Sequence, residues 1–227
     1  MLPHQARNHG AAMAEGDVLV FTDPDCVAAP DWLERLISHH VSGRHVVGGG
    51  VRGLPDWWDR SVHVTKYGWW LPESPGGSRT QLPSGNLSIS RHAWEKLEGF
   101  QGEFFAGDSE LCWRIRQAGI KLWFDPDAVV THLEHPGPLA FVRERFHRGR
   151  DFGQMRVRAE NWGRLRCLFY LLGLPVLPCV MTLRTARFAF RGGYASRWLE
   201  ALPVQLAGNG LWCLGEAFAH LACLGRG

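Results

Sequence analysis

Asp23, Asp25 and His132 are the side chains on which chemistry could be built, with Asp108 as a candidate proton acceptor. Asp23 and Asp25 flank Pro24 directly after Val18-Leu19-Val20-Phe21-Thr22, an apolar run that reads as a short buried strand. Residues i and i+2 of an extended segment share a face, so the two carboxylates are expected to converge. Pro24 fixes φ between them and donates no hydrogen bond. Two hard oxygen ligands at a strand end suit Mg²⁺ or Mn²⁺, with phosphate oxygens completing the shell. The same three residues also make an ordinary solvated turn. His132 closes Val129-Val130-Thr131 and is either a satisfied polar residue or, if its strand end meets Asp25, the third member of an Asp/Asp/His cation site. Asp108 heads a helical stretch, where it either caps the helix or serves as general base toward an acceptor hydroxyl.

The elements that must position these groups follow from periodicity and punctuation. Gln5 to Glu15 is Ala-rich and ends at Gly16-Asp17, so a helix feeds the strand that carries Asp23. That arrangement reads as the second half of a βαβ unit whose first half is missing. Pro30 to His40 reads as an amphipathic helix and Val46 to Val51 as a strand broken by glycines. Residues 52–82 read as irregular, carrying Trp57, Trp58, Trp69 and Trp70 as core residues, stacking platforms or lipid anchors. Residues 86–90, 121–124 and 128–132 read as strands, and 91–97 and 108–118 as helices. A second Asp-Pro-Asp, Asp125 to Asp127, falls between two of these strands and reads as a structural turn.

Composition bounds the rest. The 227 residues allow one large domain, or one domain plus an appendage. With 25 basic and 22 acidic residues the net charge is only +3, which gives no case for nucleic acid. Six scattered cysteines, with no Cys-x-x-Cys, argue against a zinc knuckle or disulfide framework and fit a reducing compartment. Residues 1–17 are polar, without the apolar core of a leader. After Pro138 the chain turns basic. Cys167 to Leu183 and Ala201 to Gly215 are then uncharged and apolar, with arginines between them. Each run is shorter than the roughly 20 residues of a spanning helix. Re-entrant or interfacial helices beside anionic lipid, or a buried helical hairpin, are the two readings.

Five motifs occur in a fixed order: Ala6-Arg7-Asn8-x-Gly10, leading to Phe21-Thr22-Asp23-Pro24-Asp25; Gly85-Asn86-Leu87-Ser88-Ile89-Ser90-Arg91; Gly99-Phe100; Gly107-Asp108-Ser109-Glu110-Leu111-Cys112-x-Arg114; and Phe124-x-Pro126-x-Ala128-x-Val130-x-His132. Together they resemble the nucleotide-diphospho-sugar glycosyltransferases of family 2, and an ordered set is more specific than any single motif. The resemblance covers about residues 5 to 158. It implies an α/β fold, a partial GT-A domain with a Rossmann-like, mixed and mostly parallel sheet flanked by helices, over residues 1–158 and lacking its first βαβ unit. Residues 159–227 would form a hydrophobic, membrane-associated helical tail.

The resemblance also assigns roles. Asp25 would bind the metal, Mg²⁺ or Mn²⁺, through the family's D-x-D motif, and Asp23 would contact the metal or the donor ribose. His132 would be the third contact to the metal-diphosphate group. Arg7 and Asn8 would touch the donor nucleotide. Gly85, Asn86, Glu110, Trp69 and Trp70 would line the sugar and acceptor pocket, and Asp108 would be the base of an inverting transfer. Gly107 stands where the family usually has an acid. The implied partners are a nucleotide-sugar donor, a carbohydrate or lipid-linked acceptor of the cell-envelope polysaccharide kind, and the cytoplasmic face of the cell membrane. A metal-dependent phosphoesterase using Asp23, Asp25 and His132, and a non-catalytic membrane-associated remnant, are the alternatives.

Overall fold

The computed structural model describes residues 3–101 and 106–225. Two compact units divide the described residues: those within 3–54, 67–101 and 107–134 form one, and those within 55–66 and 135–225, with residue 106, the other. The division falls at 134/135 rather than at 158, so the basic helix that follows goes with the tail.

The first unit opens with α1 (Pro3–Met13), then β1 (Val18–Thr22), β2 (Cys26–Ala28), α2 (Trp32–Val41) and β3 (Val46–Arg52). The helix α3 (Trp57–Tyr67) follows, belonging to the second unit except for its last residue. The first unit continues with β4 (Gly77–Arg79), β5 (Asn86–Ser90), α4 (Arg91–Lys96), α5 (Gly107–Gln117) and β6 (Leu122–His132). The strand order is β1-β5-β3-β6-β2, with β4 also on β6. The sheet is mixed and flanked by helices, as expected, but it is not mostly parallel: β3–β6 is the one parallel pairing among the described strands. β5 inserts between β1 and β3 antiparallel to both, and the short β2 and β4 pair with β6 as antiparallel return segments that need no crossover helix.

Alternation along the strands sorts side chains between two layers. Leu19 and Phe21 of β1, Leu87 and Ile89 of β5, and Leu122 and Phe124 of β6 pack with Trp94 of α4 and Leu111 and Ile115 of α5. Val20, Val47 and Trp123, offset by one, pack with Leu36 and Trp32 of α2 on the opposite face. Two expectations about this region change. Residues 57–67 form a helix, not irregular chain. Its buried face includes Asp59, Ser61 and His63, so the apolar period that betrays a helix is missing. The two strands expected at 121–124 and 128–132 are one, β6. Gly49 pairs with Asp125 and Val51 with Val130, so the second Asp-Pro-Asp is a bulge within a strand. Gly49 permits it, because a Cβ there would lie 2.0 Å from Ala128 O.

The second unit is helical: α3, then α6 (Pro138–Arg158), α7 (Arg164–Gly173), α8 (Leu177–Arg191), α9 (Ala195–Glu200) and α10 (Leu202–Leu224). α10 packs along α6, α7 and α8. No single described helix is long and apolar enough to cross a membrane, but α7 and α8, bent 82° at their break, pass that test as a pair.

Candidate metal centre

β1 ends in a reversal. Cys26 N donates to Asp23 O at 3.0 Å, closing a β-turn with Pro24 at its second position. β2 starts at Cys26 and pairs antiparallel with β6, setting Cys26 directly opposite His132. Leu133 N donates to Asp25 O at 2.8 Å and fastens the turn to the end of β6. As a result one ligand atom each from Asp23, Asp25, Cys26 and His132 lies within 4.8 Å of the others. His132 Nε2 is 3.4 Å from Asp25 Oδ2, and its Nδ1 is 3.7 Å from Glu134 Oε2. His132 is buried, whereas Asp25 is exposed, so the group opens to solvent on one side. The two carboxylates converge because the chain turns, not because an extended segment puts i and i+2 on one face. Burial, reinforced by the Asp23 and Asp25 charges, pushes the Cys26 thiol up to about 11.

Two neighbours hold Asp23. Arg7 pairs through Nη2 with Asp23 Oδ1. Gly85 comes so close that a Cβ on it would sit 2.4 Å from Asp23 Oδ2. The donor set fits a divalent cation: carboxylate oxygens and an imidazole nitrogen are first-row metal ligands, and Gly85 leaves the carboxylate the space it occupies. Arg7 is therefore engaged with Asp23, with its Nε buried and unpartnered. Asn8 clamps the Phe100 backbone, donating to Phe100 O at 2.8 Å and accepting from Phe100 N at 3.0 Å. Its amide is thus bonded on both sides to the Phe100 backbone.

The residues expected around the acceptor separate. Gly85 is beside Asp23. Asn86 is fully buried; its Nδ2 donates to Gly50 O at 2.9 Å and Ala128 O at 2.8 Å, and its Oδ1 accepts from Trp32 Nε1 at 2.8 Å. Glu110 accepts from Arg114 at 2.5 and 2.8 Å, and Arg114 also donates to Gly99 O at 2.7 Å. Trp70 packs against the core, and its Nε1 donates to Gln81 O at 2.9 Å. Asn86, Glu110 and Trp70 thus brace the fold through these bonds, while Trp69 is half-buried. Asp108 is half-buried at the start of α5, and its Oδ1 accepts from Ser109 N at 2.8 Å. Beside it, a Cβ on Gly107 would lie a tight 3.0 Å from the His4 ring. In the second Asp-Pro-Asp, Asp125 Oδ2 lies 2.8 Å from His39 Nε2 and its Oδ1 accepts from Asp127 N, so that motif is structural, as expected. Cys26 was not among the expected site residues. Its signal was its place at the fourth position of a proline-directed turn, next to Asp23.

Residues 3–112 match the model of glycosyl transferase family 2. A pre-mycofactocin glycosyltransferase of Mycobacterium tuberculosis is 28% identical over 148 residues, 57% of this chain and 30% of the relative. A glucosyl-dolichyl phosphate glucuronosyltransferase of Haloferax volcanii is 36% identical over 144 residues, 56% of this chain and 46% of the relative. The chain thus spans less than half the length of either. Among solved structures, a mannosyltransferase from Pyrobaculum calidifontis in complex with GDP-Man and Mn²⁺ aligns with 92% of this chain and 66% of its own, at 18% identity and a TM-score of 0.49.

Proposed function

We propose that this chain carries the diphosphate-binding part of a metal-assisted, inverting sugar-transfer site, because residues 3–112 match the model of glycosyl transferase family 2. The observation that carries this reading is the convergence of Asp23, Asp25 and His132 at the β1–β2 turn and the end of β6. Asp25 and His132 would hold the cation with Asp23, which Arg7 and Gly85 keep in place. A bound divalent ion supplies charge compensation for a leaving diphosphate. Asp108, oriented by the Ser109 amide at the head of α5, would accept the proton of an acceptor hydroxyl. The donor is a nucleoside-diphosphate sugar and the acceptor a carbohydrate or lipid-linked hydroxyl.

The second unit supports placing this chemistry at the cytoplasmic face of the cell membrane. It buries several polar side chains and exposes large apolar ones. On α10, Gln205, Asn209, Glu216 and His220 are buried, while Leu165, Phe169 and Leu172 of α7 are 73%, 71% and 69% exposed. Arg164 and Arg166 on α7 and Arg184 and Arg187 on α8 suit anionic headgroups.

Calorimetric titration with UDP and GDP, with and without Mn²⁺, tests the site. We expect nucleoside-diphosphate binding that requires the ion and is lost in Asp25→Ala. Metal-independent binding, or binding that survives Asp25→Ala, would overturn the reading. Hydrolysis of a phosphodiester in the absence of any acceptor would favour a phosphoesterase instead.

A further inference from the structure

We propose that the second unit holds a binding site for the phosphate headgroup of an acidic phospholipid, in the groove between α6 and α10 at Arg150, Gln154 and Arg158. The inference rests on the membrane-face reading above and deepens it by naming the lipid class and the residues that select it.

Close helix packing builds the groove. Gly149 and Gly153 bring the α6 backbone against α10: a Cβ on Gly149 would lie 2.1 Å from Trp212 O, and one on Gly153 2.9 Å from Ala219 Cβ. Beside that seam α6 contributes Arg150, Gln154 and Arg158, and α10 contributes Phe218, Ala222 and Cys223. At one end Phe146 meets Phe218 edge-on, with centroids 5.4 Å apart. At the other, Cys223 Sγ donates to Trp162 O at 3.7 Å and Arg164 Nη2 donates to Leu224 O at 2.8 Å. These bonds tie the end of α10 to the chain that follows α6, so the walls are held without a ligand.

The two walls differ in chemistry. Arg150, Gln154 and Arg158 recur every fourth residue and share one face of α6, spanning about 12 Å at 1.5 Å per residue. Both arginines are exposed, and no acid is among the described residues that line the groove. Arg150 Nη2 directs one corner of its fork at Asp151 Oδ1, a long contact of 3.4 Å. A phosphodiester seated over Gln154 is bracketed by two guanidinium groups, whose planar forks match phosphate oxygens. The α10 wall is apolar, and Phe218 continues into a stripe with Leu214 and Leu221, exposed by 60%, 48% and 56%. The cavity of about 250 Å³ falls below the roughly 300–1,000 Å³ of sites that enclose a whole ligand. It therefore takes a headgroup and leaves the acyl chains to lie along the stripe. A zwitterionic lipid would bring its own cation to the arginines, and free phosphate would gain nothing from the stripe.

Dihexanoyl-phosphatidylglycerol, kept below its micelle concentration, is titrated calorimetrically into the full chain, beside dihexanoyl-phosphatidylcholine and inorganic phosphate. We expect the first to bind and the other two to bind at least about tenfold more weakly. Arg150→Gln combined with Arg158→Gln should weaken phosphatidylglycerol binding by at least about tenfold. Ala222→Trp, which fills the groove without changing charge, should do the same. Arg143→Gln combined with Arg191→Gln removes two exposed charges outside the groove and should leave the affinity within about twofold. Near-ultraviolet circular dichroism matching the parent shows that the variants fold. No binding by the parent, equal weakening by the control pair, or binding untouched by Ala222→Trp would overturn the site. Inorganic phosphate binding as tightly as the lipid would overturn the lipid as its occupant. A parent that binds the short-chain lipid but does not sediment with phosphatidylglycerol vesicles would overturn the membrane-face reading and leave the groove standing.

Discussion

At the residue scale, the site depends on how closely backbone approaches a carboxylate. Gly85 is the clearest case. A methyl group there would lie 2.4 Å from Asp23 Oδ2, and the carboxylate is the part that can move. Gly85→Ala is therefore expected to swing Asp23 away from Asp25 and His132 while costing about 1 kcal/mol of stability or less. Calorimetry should show Mn²⁺-dependent nucleotide binding lost, with a denaturant midpoint close to the parent's. Unchanged binding would mean that Asp23 does not serve the ion. Asp108 supplies the second test at this scale. Asp108→Asn keeps the size of the side chain and an oxygen that can accept from Ser109 N, but it removes the base. A transfer rate lowered by about 10² or more with binding intact is expected; an unchanged rate assigns the proton elsewhere.

At the scale of elements, the strands that present the site are locked by buried polar groups. Asn86 opens β5 and ties β3, β6 and α2 through Gly50 O, Ala128 O and Trp32 Nε1. Asn86→Ala leaves all three partners without a match and should cost about 3 kcal/mol or more, read as a lowered urea midpoint. Asn86→Asp, which keeps the shape but loses both N–H donors, should be no better. The contact of α2 with β5 carries a pH dependence. Burial, then the nearby His45 and His39 charges, bring His40 down to about 4 from its ordinary 6.5. Its Nε2 pairs with Ser88 Oγ at 2.9 Å while Nδ1 has no hydrogen-bond partner. Because the pKa is lowered on folding, the unfolded chain binds the proton more tightly. The His40 contribution is thus present above pH 6.5 and is lost as the pH falls toward 4. Thermal midpoints measured across that window should decline in the parent and decline less in His40→Gln; identical slopes would contradict the assignment.

At the scale of the whole molecule, the two units differ in what they leave exposed and in how many polar groups they bury. The first buries apolar side chains on both faces of a sheet. The second buries a ladder of polar groups: Arg145 donates to Asn209 Oδ1 at 3.1 Å, Asn209 to Thr182 Oγ1 at 2.9 Å, and Trp212 to Glu216 Oε1 at 2.6 Å. Its outer surface carries large apolar side chains, as a lipid environment favours. The protein is expected to co-sediment with vesicles containing phosphatidylglycerol, less at high salt. Phe169→Ser combined with Leu172→Ser should weaken that partition by at least about tenfold, since each residue contributes on the order of 1.5–3 kcal/mol when buried. Equal partition of parent and variant would place the binding surface elsewhere.

The sequence by itself determined the groups and their local settings. The apolar run before Asp23, the proline after it, the helix head at Asp108 and the strand end at His132 are all written in short-range pattern, because strands, turns and caps depend on neighbours in the chain. Local pattern did not by itself separate the two Asp-Pro-Asp motifs, since each follows a short apolar strand fed by a helix. Tertiary structure alone decided which of these groups meet. The β2–β6 register brings Cys26 and Asp25 to His132 across more than a hundred residues, and no local signal encodes that pairing. It also decided which bonds Asn8, Asn86, Glu110 and Trp70 make inside the fold. Side-chain type states what a residue can bond, but only the packed chain shows whether a backbone carbonyl or another side chain has already taken that bond.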